Sequence, residues 1–80
     1  MVYQVRWSRD ALSDVEEIAQ FIARDSSRYA GIVVEKILEA TRQLEQFPRA
    51  GRKVPELNEE AIRELFVYNY RIIYVTRMKL

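Results

Sequence analysis

The spacing of apolar and polar positions changes along the chain, and each change marks an element. Residues 2–7 alternate, with Tyr3, Val5 and Trp7 on one side and Val2, Gln4 and Arg6 on the other, a period of two that predicts a strand. From Ser8 the spacing becomes three and four, and Leu12, Val15, Ile18, Ala19 and Ile22 fall on one helical stripe. Ser8 can accept an orphan amide at the start of this helix and Asp10 puts a negative charge in its first turn, so the helix runs to near Asp25. Ser26 and Ser27 interrupt it and cap a second helix, whose stripe reads Ala30, Val33, Val34, Ile37, Leu38, Thr41 and Leu44 before Pro48 closes it. So short a turn predicts an antiparallel helical hairpin.

After Pro48 the periodicity fails. Pro48, Gly51 and Pro55 mark a loop of about ten residues to Asn58, carrying Arg49, Arg52 and Lys53, and loops of this length in a small domain often serve function. Two apolar, aromatic runs follow, residues 62–68 and 70–76, which predict a tight antiparallel hairpin turning at Asn69 and Tyr68. In the second run Ile72 and Tyr74 face one way while Arg71, Ile73 and Val75 face the other, and apolar bulk on both faces is the mark of a central, covered strand. One helical hairpin covers one sheet face, so Ile73 and Val75 need a cover from elsewhere. The chain stops at Leu80 just after this strand, leaving an edge that is open, filled by another polypeptide, or continued by further chain. The fold class expected is α+β, one domain over residues 1–80: a small antiparallel sheet with a helical hairpin on one face, in the order β-α-α-β-β.

Composition narrows the chemistry. Eighty residues allow one core, and 49% hydrophobic with 31% charged residues places the chain among folding rather than disordered sequences. There is no Cys and no His, which removes disulfides, thiolate nucleophiles, imidazole bases and the usual zinc sets. No metal or cofactor is expected, and the acidic cluster Asp14, Glu16 and Glu17 reads as a solvated helix face. No apolar run approaches the ~20 residues of a membrane span, so the expectation is a soluble, cytoplasmic protein without a membrane partner. Residues 1–47 hold six Lys/Arg against eight Asp/Glu, and residues 48–80 hold seven against four. This basic tilt falls short of a dedicated nucleic-acid binder.

The ordered set Tyr3 to Trp7-Ser8, Ala11-Leu12, Asp14 to Ile18, Phe47-Pro48-x-x-Gly51, Val54-Pro55-Glu56-Leu57, Arg63-Glu64-Leu65 and Tyr70-Arg71-Ile72-Ile73-Tyr74 resembles the RelE/ParE superfamily of toxins, and its ParE-like branch most. The resemblance spans essentially the whole chain. It implies the toxin of a type II toxin–antitoxin (plasmid stabilisation) system that inhibits growth by gripping a protein target such as DNA gyrase. It also implies neutralisation by a cognate antitoxin in a hetero-oligomer. A further C-terminal strand and a short tail that the resemblance implies do not follow Tyr74 here.

The alternative within the superfamily is a ribosome-dependent endoribonuclease acting on messenger RNA, and a third reading is an inactive toxin kept as an antitoxin-binding module. RNA cleavage needs cations converging on the scissile phosphate. The resemblance to the RNase branch puts Arg71 on its phosphate-contacting arginine. The two lysines of that branch's preceding strand fall on Ile62 and Glu64, and its remaining catalytic Arg and Tyr fall beyond Leu80. Arg71 therefore stands as the sole catalytic candidate, and only under the RNase alternative. Its other role is structural, paired with Glu64 across the hairpin, or as an antitoxin contact together with Ile73 and Val75. Arg49, Arg52 and Lys53 are the candidate target-binding residues. Tyr68, Tyr70 and Tyr74 could stack on bases, though aromatics at alternate strand positions ordinarily pack.

Overall fold

A computed structural model of the chain describes residues 4–76. Helix α1 spans Arg9–Ala23, and the Ser8 hydroxyl accepts the Ala11 amide at 3.0 Å. Helix α2 spans Ser27–Gln43, and the Ser26 hydroxyl accepts the Tyr29 amide at 3.0 Å. Each serine satisfies an amide that has no partner inside its helix, and this fixes where the helices begin. The second helix ends sooner than Pro48 suggests. Leu44 caps it, and the chain turns through Phe47, whose amide donates to the Gln43 carbonyl at 2.9 Å.

Helix α2 carries the core: Ala30, Val33, Ile37 and Thr41 are buried, with Leu44 just after it. Helix α1 packs on α2 and on no described strand, so none of its residues is fully buried and Leu12, on the expected apolar stripe, stays 53% exposed.

Among the described residues the sheet has three antiparallel strands in the order β1-β2-β3, with β1 at Arg52–Lys53, β2 at Ile62–Val67 and β3 at Tyr70–Val75. Strand β1 lies inside the expected loop; two charged residues carry no periodicity from which to read it. The expected strand over residues 2–7 falls partly outside the described residues, and residues 4–8 form no strand because none of the described strands pairs with them. Strand β3, expected to be central, lies at the edge of the described sheet. The central place belongs to β2, whose Arg63 and Glu64 are buried between its two neighbours. A strand following Tyr74 lies outside the described residues.

Strands β2 and β3 meet at the Val67 and Tyr70 pair, leaving Tyr68 and Asn69 as the turn. Tyr68 has φ of 54°, a left-handed conformation uncommon for a bulky side chain. Its ring lies 6.4 Å from that of Tyr29 in the first turn of α2, and this aromatic contact ties the hairpin tip to the helix.

Register sorts the sheet into two faces. Arg63, Leu65, Val67, Tyr70, Ile72 and Tyr74 share one. Tyr74 donates its hydroxyl to the Pro48 carbonyl at 2.8 Å and accepts the Gly51 amide at 2.9 Å, while Arg63 donates to the Gly51 carbonyl at 2.8 Å. These bonds reach the turn that leaves α2, and of the two helices only α2 packs on a described strand, so this is the face turned to α2. The backbone of Gly51 lies against β2 so closely that a Cβ there would press on the Glu64 carbonyl oxygen and sit 2.7 Å from the Tyr74 hydroxyl. Glycine is required at this position by space, since its φ is not positive.

Candidate functional site

The opposite face holds Ile62, Glu64 and Phe66 from β2, Arg71, Ile73 and Val75 from β3, and Arg52 from β1. Its centre is Glu64, whose side chain is fully shielded from solvent. A buried carboxylate must be paired to be tolerated. The Arg52 Nε donates to its Oε2 at 2.7 Å and the Arg71 Nη1 donates to its Oε1 at 3.2 Å. The Arg71 Nη1 also donates to Glu56 Oε2 at 2.8 Å. Glu56 is presented by a tight turn in which the Asn58 amide donates to the carbonyl of buried Val54 at 2.8 Å, and Asn58 itself has φ of 51°. The hydrogen bond from Arg71 holds the Glu56 carboxyl below its ordinary range, and the same bond raises Arg71.

Apolar side chains surround these charges and remain exposed. Phe66 is 56% exposed, Ile73 50% and Val75 56%, and the Arg52 guanidinium lies 5.7 Å from the centroid of the Phe66 ring. The expected contact between Arg71 and Glu64 is present, and Ile73 and Val75 lie on the uncovered side. Glu56 and Phe66 were not singled out from the sequence. Glu56 sits in an aperiodic loop from which no spacing says where a side chain reaches.

The three basic residues expected to act together are divided. Arg52 turns to Glu64, whereas Arg49 and Lys53 approach Glu60, at 3.5 Å and 3.9 Å, where Arg63 also donates. Neighbouring residues on a strand point to opposite faces, which is why Arg52 and Lys53 part company. Among the described residues no cluster of Asp or Glu has the arrangement of a metal site, and no described helix is long and apolar enough to cross a membrane. A depression between α2 and the end of β2, lined in part by Lys36, Gln43, Phe66 and Tyr68, is open to solvent. It lacks the enclosure of a small-molecule site.

Fold and site together define a small α+β protein whose chemistry-bearing side chains lie on an open sheet surface. The profile of the ParE toxin of type II toxin–antitoxin systems (parDE) matches residues 5–78, and the chain belongs to that family. The chain is accordingly a toxin of the type II class, a family that pairs with an antitoxin. Searches among curated proteins and among solved structures returned no match.

Proposed function

We propose that this toxin inhibits growth by gripping a protein target such as DNA gyrase, without cleaving RNA, and that a cognate antitoxin neutralises it in the cytoplasm. In this reading the basic segment with Arg49, Arg52 and Lys53 contacts the target. Arg71, Ile73 and Val75 contact the antitoxin. The observation that supports it is the setting of Arg71, which lies between two carboxylates at 2.8 Å and 3.2 Å. Glu56 and Glu64 already balance the charge of Arg71, and the neighbouring strand offers Ile62 and Glu64 where an RNase needs cations. Phosphate-directed catalysis relies on several donors converging on the developing charge. A gripping surface needs shape, a few charges and exposed apolar side chains, which this face has.

Induction in cells with two readouts tests this reading. DNA supercoiling and the DNA-damage response are followed in one arm, and messenger cleavage at ribosomal positions in the other. Growth arrest with a DNA phenotype and intact messengers is expected. Rapid messenger cleavage without a DNA phenotype would refute it.

A further inference from the structure

The arginine pair on the open face has donor capacity that the chain itself does not use. Each guanidinium carries five N–H donors in a fixed fork. Arg52 spends its Nε on Glu64, and Arg71 spends only its Nη1, shared between Glu64 and Glu56; the remaining N–H groups of both have no acceptor among the described residues. Glu64 fixes the two guanidinium groups from beneath, yet its side chain is 0% exposed, so an approaching molecule meets the arginines and not the carboxylate that holds them. The side chains of Arg52 and Arg71 are 65% and 39% exposed. The surface therefore presents two guanidinium groups at its centre and apolar side chains at its border, where Phe66, Ile73 and Val75 stand half exposed.

Among the described residues Glu56 is the one surface carboxylate that reaches this centre, and it differs from Glu64 in kind. Its side chain is 58% exposed, and it touches Arg71 from a separate loop. An exposed ion pair of this sort is weak and exchangeable, whereas the buried one beneath is held.

We propose that Arg52 and Arg71 form a receptor for one acidic side chain on an apolar segment of a protein partner, and that Glu56 occupies it in the free chain as an internal stand-in that the partner's carboxylate replaces. The proposal rests on the reading that this face takes a protein partner, moves Arg52 to the partner that meets Arg71 because both share Glu64, and adds the chemistry of the segment and a competitor within the toxin. With Glu56 displaced, the two arginines over Glu64 carry one net positive charge, which selects an acidic group, and the exposed Phe66, Ile73 and Val75 select apolar neighbours for it. A nucleic-acid backbone would gain nothing from the exposed Ile73 and Val75. The strength of the partner's grip is then set partly by how firmly Glu56 holds Arg71.

Titration of the full chain, followed by NMR at the arginine Nε–H groups and at the methyl groups of Ile73 and Val75, tests this. The probes are the blocked tripeptide Ac-Leu-Glu-Leu-NH2, its glutamine counterpart and inorganic phosphate. The acidic peptide is expected to bind weakly and saturably, shifting Arg52, Arg71, Ile73 and Val75 together, while the glutamine peptide and phosphate do not. Glu56→Gln, an exposed substitution that leaves Glu64 paired, is expected to tighten the acidic peptide about two- to fivefold, the range that loss of an exposed competing pair allows. Unchanged or weaker binding in Glu56→Gln would overturn the stand-in. Preference for phosphate would overturn the protein partner in favour of a nucleic acid, and absence of binding by every probe would overturn the receptor. Failure here with growth arrest and a DNA phenotype intact in cells would remove this inference alone. A positive titration alongside messenger cleavage would remove the target reading alone.

Discussion

Two glycines in this chain should respond to the same substitution with opposite sign. At Gly51 the added methyl of alanine would press on the Glu64 carbonyl oxygen and lie 2.7 Å from the Tyr74 hydroxyl. The first is backbone of the central strand and cannot swing aside, so the turn itself must move, at the ~1–3 kcal/mol typical of an overfilled site. That movement also stretches two bonds that Gly51 makes, from its amide to Tyr74 at 2.9 Å and from Arg63 to its carbonyl at 2.8 Å, each worth about 1 kcal/mol net. Gly51→Ala should therefore cost about 2–4 kcal/mol. A chain of 80 residues has a total stability of about 4–12 kcal/mol, so the loss is a large share of it. At Gly31, exposed within α2, a new Cβ meets nothing within 4 Å. Gly31→Ala should gain about 0.5–1 kcal/mol from helix propensity alone. Thermal unfolding by circular dichroism should show Tm falling by about 10–25 °C in the first variant and rising by about 2–8 °C in the second. A Gly51→Ala protein as stable as the wild type would refute the close approach between the turn and β2.

Other perturbations separate the contacts around the sheet. Tyr74→Phe leaves the Gly51 amide and Pro48 carbonyl without their shared hydroxyl and should cost about 1–3 kcal/mol in urea unfolding. Glu64→Gln should cost about 1–2 kcal/mol. That is less than the ~3–5 kcal/mol of stripping a buried charge of its partner, because Arg52 and Arg71 can turn to water. The Glu56 carboxyl is held below its ordinary value of 4.5 in the folded chain, so its stabilising pair with Arg71 is fully present above that value and is lost as pH falls through the folded-state pKa. The stability difference between wild type and Glu56→Gln should accordingly shrink as acid is added, and a difference that grows would contradict the pairing.

The helices were legible in the sequence because capping and periodicity are local. Ser8 and Ser26 announce the starts, and Ala30, Val33, Ile37 and Thr41 announce the buried stripe. The β2–β3 hairpin was legible for the same reason, since alternation over Tyr70–Val75 assigns Arg71, Ile73 and Val75 to one face before any contact is known. Long-range relations were not. Nothing local says that Arg52 and Lys53 pair with Glu64 and Arg63, or that the aperiodic turn at Glu56 delivers a carboxylate to Arg71. Leu12 shows a related limit: it has the right spacing for a core stripe, but among the described elements α1 meets only α2, and one helix cannot cover its whole apolar side. Family resemblance gave the loop its motif, Val54-Pro55-Glu56-Leu57, without the role of its glutamate.

Arg71 separates the gripping account from RNA cleavage most directly, because the two assign it opposite duties. Arg71→Ala leaves Arg52 on Glu64 at 2.7 Å, so the buried carboxylate keeps a partner and the fold is expected to survive. Growth arrest on induction and affinity for the cognate antitoxin would be measured on the same variant, with its circular dichroism spectrum as the check on folding. The account predicts that arrest persists while the antitoxin binds about ten- to a hundredfold more weakly, as loss of a charge-assisted contact allows. Abolished arrest with unchanged antitoxin affinity would contradict it.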